Sequence, residues 1–182
     1  MKLKLTVCAI IFCLLFSAAP AFAWNSYTHK ALWQAAIKDL DLSACDKSQI
    51  TKIKIRAPVL PDRGGPKSDH NCYKDFCPAM EKVSKKLADA KSEDDVCQKM
   101  FELGVASHYY TDSKNPAHQK IVDMSCHAKF ENAVDKFIKS GFKGSVAVKC
   151  KKSKTTLTFN KSDYDNLVAG IKKDILDAAL GE

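Results

Sequence analysis

No CxxC pair occurs anywhere in the 182 residues, so the cysteines lack the spacing of a thiolate zinc site. There is no internal repeat and no low-complexity segment, which excludes a solenoid array and a compositionally biased linker. Beyond the first 23 residues, no stretch approaches the roughly 20 apolar residues that a membrane span needs. Histidine is scarce as well. There are five: His29, His70, His108, His118 and His127.

What the chain does have, at its start, is the pattern of a leader. Met1-Lys2-Leu3-Lys4 precedes an apolar run from Leu5 to Ala19, and Ala21-Phe22-Ala23 supplies a small-x-small ending. This predicts a secretory signal peptide over residues 1–23, with Trp24 as the new N-terminus and a secreted or periplasmic destination. Residues 24–182 are then enough for one domain with a substantial core. Two lysines and no acid leave with the leader, so 29 basic and 21 acidic residues become 27 and 21, a net charge of +6. Such a surface suits anionic partners without choosing among phosphates, anionic lipid and nucleic acid. Six cysteines remain: Cys45, Cys72, Cys77, Cys97, Cys126 and Cys150. An even number in an exported chain predicts up to three disulfides, in a pairing that the sequence leaves open.

The periodicity predicts a mainly α single domain with one small hairpin. Ser26 and Thr28 are placed to cap a helix running to about Leu40. Prolines, Gly64-Gly65 and two cysteines between about Arg56 and Pro78 predict an irregular, stapled loop. Pro78 opens a helix through about Ala90. Ser92-Glu93-Asp94-Asp95 opens another, expected to reach about Thr111, and a further helix is expected from about Ala117 to Ser140. Ser145–Cys150 and Thr155–Phe159 alternate as a hairpin, and Ser162 is placed to cap a last helix.

The chemistry is carried by the histidines. His108 and Asp112 are four apart, so they share one side of a helix, and His127 and Glu131 repeat that arrangement. Two helices that each offer an imidazole and a carboxylate can converge on metal inside a bundle. Zinc accepts this mixture of nitrogen and oxygen ligands. His118, just after Pro116, is placed to join either pair.

These residues also carry a resemblance. His108-Tyr-Tyr-Thr-Asp112-Ser-Lys-Asn-Pro116-Ala-His118, followed by His127-Ala-Lys-Phe130-Glu131, resembles the ligand core of the bacterial zinc-dependent phospholipases C, which share a fold with the single-strand-specific nucleases of fungi and plants. Trp24-Asn-Ser-Tyr-Thr-His29 is similar to that family's mature N-terminus, and Pro61-Asp62 with His70 to its Pro-Asp step and following histidine. The resemblance spans about Trp24 to Asp135. It implies a helical bundle of the zinc phospholipase C/nuclease type that holds three zinc ions. Asp62, His70, His108 and Asp112 would hold one. Asp112 would bridge to a second, bound by His29 and by the α-amino and carbonyl groups of Trp24. His118, His127 and Glu131 would hold the third. Asp69, beside His70, is an alternative to Asp62. The implied activity is hydrolysis of a phosphate ester by a zinc-bound hydroxide, with Asp112 bridging and Asp62 as either general base or ligand.

The substrate divides the family. The His108-Tyr109-Tyr110 run and a glutamate at Glu131 lean toward the phospholipases, whose substrate is a phospholipid headgroup. The Trp24–His29 interval leans toward the nucleases, with Tyr27, Tyr73, Phe76, Tyr109 and Tyr110 available to stack on the bases of single-stranded nucleic acid. Asn25-Ser26-Tyr27 and Arg63 stand where choline-specific enzymes carry an acidic and an aromatic residue, which speaks against a choline-type headgroup. A zinc-binding module without turnover is the remaining alternative.

Overall fold

A computed structural model describes residues 24–63, 67–73, 76–120 and 122–181. The expected signal peptide lies outside the described residues. The fold is mainly helical with one two-stranded antiparallel sheet. Helix α1 spans Ser26–Ala36, and the short α2 spans Lys47–Thr51. A π-helical turn (Lys52–Arg56) and three 3-10 turns (Ala57–Val59, Pro61–Arg63 and Lys67–His70) follow. Then come α3 (Pro78–Lys91), α4 (Val96–Lys114), α5 (Pro116–Gln119) and α6 (Met124–Lys139). Strands β1 (Val146–Cys150) and β2 (Thr155–Phe159) form the hairpin, with Val146 opposite Phe159 and Cys150 opposite Thr155. Helix α7 (Lys161–Gly170) runs through a π-helical segment (Ile171–Asp177) into α8 (Ala178–Leu180).

The hairpin and the helices opened by Pro78 and by the acidic run at 93–95 agree with the expectations, and three caps do not. Helix α1 ends at Ala36, short of Leu40, and neither Ser26 nor Thr28 caps it. The Thr28 hydroxyl instead donates to buried Asp135 at 2.5 Å, tying α1 to α6. The helix expected from Ala117 to Ser140 is two. Asn115 caps α5 by accepting from Ala117 N, and Asp123 starts α6 afresh by accepting from Cys126 N. Lys120 between them is extended, at φ −122° and ψ 143°. The cap of α7 is Asn160 rather than Ser162, because Asn160 and Asp163 satisfy each other's backbone N–H groups as a capping box.

Helix α4 runs through the middle of the molecule, with every residue from Leu103 to Ser113 buried. A helix covered on all sides needs small residues where neighbours come close. At Gly104, a Cβ would stand 2.6 Å from Ala57 Cβ and 3.3 Å from the Trp33 ring, so the 3-10 turn carrying Ala57 can lie directly on α4. Gly170 gives the same room to Tyr110, whose hydroxyl would be 2.2 Å from an added Cβ and donates instead to Asp174 at 2.8 Å.

All six cysteines pair: Cys45–Cys97, Cys72–Cys77 and Cys126–Cys150. Three disulfides suit an extracellular location. Among the described residues, no helix is long and apolar enough to cross a membrane.

Candidate metal centre

The five histidines and three carboxylates converge in two neighbourhoods. Around Asp112, His29 comes from α1, Asp62 and His70 from the 3-10 turns, and His108 from α4. Around Glu131, His118 comes from α5, with His127 and Glu131 from α6. Three groups have ligand atoms within 4.8 Å of one another: His29, His108 and Asp112; Asp62, His70 and His108; His118, His127 and Glu131. Any of these can hold a metal ion.

Asp112 faces two ways. Its Oδ2 lies 2.6 Å from His70 Nδ1 and 3.1 Å from His108 Nε2, while its Oδ1 lies 3.4 Å from His29 Nε2. The neighbours fix which nitrogens carry protons. His108 Nδ1 donates to the carbonyl of Pro58 at 2.9 Å, which leaves Nε2 facing Asp112 and 3.6 Å from Asp62 Oδ1. The Thr111 hydroxyl donates to His108 O at 2.9 Å, so it can only accept from His29 Nδ1, also at 2.9 Å. His29 Nε2 is therefore a lone-pair acceptor pointed at a carboxylate oxygen. Both atoms are buried, and neither has a hydrogen-bond partner. Two acceptors left facing each other away from water are costly unless a cation lies between them. Buried imidazole nitrogens oriented by an outer hydroxyl or carbonyl are the usual presentation of histidine to a metal, so this donor set fits zinc.

The titration directions follow from the same packing. Burial, then the neighbouring His108, hold His29 well below its ordinary value and hence neutral. Burial alone would raise the Asp112 carboxyl, but His108 and His29 outweigh it and the group stays ionised. His108 is raised, because Asp112 overcomes the effect of burial.

At the second neighbourhood, His127 Nε2 lies 2.7 Å and His118 Nε2 3.5 Å from Glu131 Oε1. Both nitrogens of His118 are buried without a hydrogen-bond partner, and Asn115 donates to Glu131 at 3.2 Å. Burial pushes the Glu131 carboxyl up to about 8, against weaker downward effects of His118. A cation there would restore the carboxylate.

His118 thus joins His127 and Glu131 rather than the His108 pair. Of the two carboxylates beside the Pro-Asp step, Asp62 is at the cluster, whereas Asp69 turns to Lys82 at 2.9 Å. Trp24 is fully buried, its indole N–H donating to Thr111 O at 2.9 Å and its ring against Phe130 and Phe159. That seats it one residue from Asp112. Tyr109 and Tyr110 are buried and are not free to stack on a base; Tyr109 packs on His70 and His108. Tyr27, Tyr73 and Phe76 remain exposed. Pro58, Thr111 and Asn115, which orient the ligands, had no signal in the sequence beyond Thr111 being one residue before Asp112. Compared with known proteins, the chain matches no family model, no curated protein and no solved structure, so the centre stands on its own geometry.

Proposed function

We propose that this protein is an exported zinc-dependent phosphoric ester hydrolase, phospholipase C-like in its chemistry. The observation that carries the reading is the pair of facing, unpartnered acceptors, His29 Nε2 and Asp112 Oδ1, beside two further buried His/carboxylate groups. Asp62, His70, His108 and Asp112 would hold one zinc; Asp112, His29 and the main-chain groups of Trp24 a second; His118, His127 and Glu131 a third. Bound zinc lowers the pKa of water and neutralises phosphate charge, which is what ester hydrolysis at neutral pH requires.

The chain's own groups then have separate tasks. Asp112 keeps its charge and stands against His70 and His108 through one oxygen, with the other turned to His29. Thr111 and the Pro58 carbonyl hold the His29 and His108 rings in one tautomer. Asp62, with its side chain 12% exposed, is the carboxylate of the Asp112 neighbourhood within reach of solvent. It can take the proton as a water oxygen bonds to phosphorus and the ester oxygen leaves. The Trp24 nitrogen gains a lone pair only as a free amine, so signal-peptide removal would complete the second site.

The exposed aromatics Tyr73 and Phe76, three and six residues beyond His70, support a second reading as a single-strand nuclease. Purified protein beginning at Trp24, loaded with zinc, is to be assayed against phosphatidylcholine, other phospholipids, single-stranded DNA and RNA. Hydrolysis of phospholipid with about three bound zincs supports the first reading. Cleavage of nucleic acid alone transfers it to the second. Full zinc loading without hydrolysis of any of these leaves a zinc-binding module.

A further inference from the structure

Cys126 and Cys150 join the first turn of α6 to the end of β1. The cross-linked cysteines line an open cavity of about 320 Å³ between the hairpin and the helix. Lys149 from β1, Lys151 and Lys152 from the turn and Lys129 from α6 all line it, with the Ser125 hydroxyl beside them. All four lysines are exposed, and among the described residues none is paired with a carboxylate. The acid in the wall, Asp123, is committed to the helix cap through Cys126 N.

Four ammonium groups around one concavity repel each other, and the disulfide holds them there. Ammonium is a compact point charge with three donors, suited to phosphate oxygens. The cavity has no aromatic lining, so it offers nothing to stack on a nucleobase. Its concave shape accepts a discrete ligand, whereas a flat lipid surface would meet only the rim. The cavity is also separate from the metal centre. Ser125, Cys126 and Lys129 share one side of α6, while His127 and Glu131 are buried on the opposite side.

We propose that this cavity binds the linked phosphates of a di- or triphosphate, whether inorganic or carried by a nucleotide. The site does not depend on the hydrolase reading. Calorimetric titration of the zinc-loaded protein with inorganic tripolyphosphate, and separately with ATP, tests it at constant ionic strength. One ligand per chain is expected, weakened about tenfold or more, at least 1.4 kcal/mol, in Lys151→Glu/Lys152→Glu. A charge-matched control, Lys85→Glu/Lys91→Glu on α3, should bind as the parent does. Both variants should retain zinc content and any hydrolysis of bis(p-nitrophenyl) phosphate. Equal affinity for the two ligands means that the phosphates alone are read; tighter binding of ATP adds a contact outside the cavity. Unchanged affinity in the hairpin variant would place the anion elsewhere and overturn the proposal. So would equal losses in both variants, heat that sodium chloride reproduces, or binding of anionic phosphatidylserine vesicles without tripolyphosphate. Failure of hydrolysis with the binding intact would sink the hydrolase reading and leave this site standing.

Discussion

The centre around Asp112 gathers its side chains from positions 29, 62, 70, 108 and 112, whereas the centre around Glu131 takes all three from residues 118–131. Around Asp112, the carboxylate touches three imidazoles and remains ionised. Around Glu131, burial dominates and pushes the carboxyl up to about 8. Both centres present buried acceptors to a cation, but only around Asp112 is the carboxylate already ionised by its protein neighbours. A carboxylate shared among ligands from several distant elements is also a structural keystone, while one served by two consecutive short stretches of chain is a local fitting.

The most severe way to break this comparison is Asp112→Ala. Removing one partner from a buried charged network costs about 3–5 kcal/mol. Chemical denaturation should show that loss, and metal analysis should show two zincs missing together, with the third retained. In Glu131→Ala the third alone should go; single losses in both variants would contradict the shared carboxylate. Next in size is Cys126→Ser/Cys150→Ser. These cysteines are 24 apart in sequence and brace the helix of the Glu131 centre, and opening a loop of that length costs about 3 kcal/mol. Opening Cys72–Cys77, separated by 5 and near His70, should cost less by the same entropy. Thermal denaturation in the two double mutants decides the order.

A finer cut is Thr111→Val, which leaves every ligand in place but removes the acceptor from His29 Nδ1. Loss of such an orienting partner weakens metal binding about 10–100-fold. Competition with a chelator should register this at the Asp112 centre, and equal weakening at the Glu131 centre would erase the distinction. The smallest effect is on pH. In metal-free protein, Glu131 is raised from 4.5 to about 8, so its contribution to stability is full below about 4.5 and is lost as pH rises through about 8. His29 is lowered and acts oppositely, costing stability as pH falls below about 6.5. Denaturation of parent and Glu131→Gln at pH 7 and 8 isolates the Glu131 effect: the parent should lose more on going to pH 8, on the order of 1 kcal/mol.

What was legible in the sequence follows the same division. His108 with Asp112, and His127 with Glu131, are each a helical turn apart, and the four-residue spacing alone puts them on one face. The hairpin and the Pro78 helix were equally local. His29, Asp62 and His70 reach the centre only through tertiary packing, and spacing carries no trace of that; they were found through the resemblance. The caps depart from the local pattern because Asp135, 107 positions on, draws Thr28 away and because Asn160 outcompetes Ser162. Which cysteines pair could not be read either, since pairing depends on where the chain brings the sulfurs.

Gly104 sits one turn before His108, and the space it leaves is filled by Ala57. Ala57 is followed directly by Pro58, whose carbonyl holds His108. The missing side chain therefore sets a spacing: a methyl group at 104 would wedge the turn outward and carry that carbonyl with it. Gly104→Ala should lower zinc affinity at a ligand that it never touches, and a crystal structure of the variant would show whether the Pro58–His108 bond has lengthened. The precision of this centre depends on how closely two backbones can approach one turn away from it.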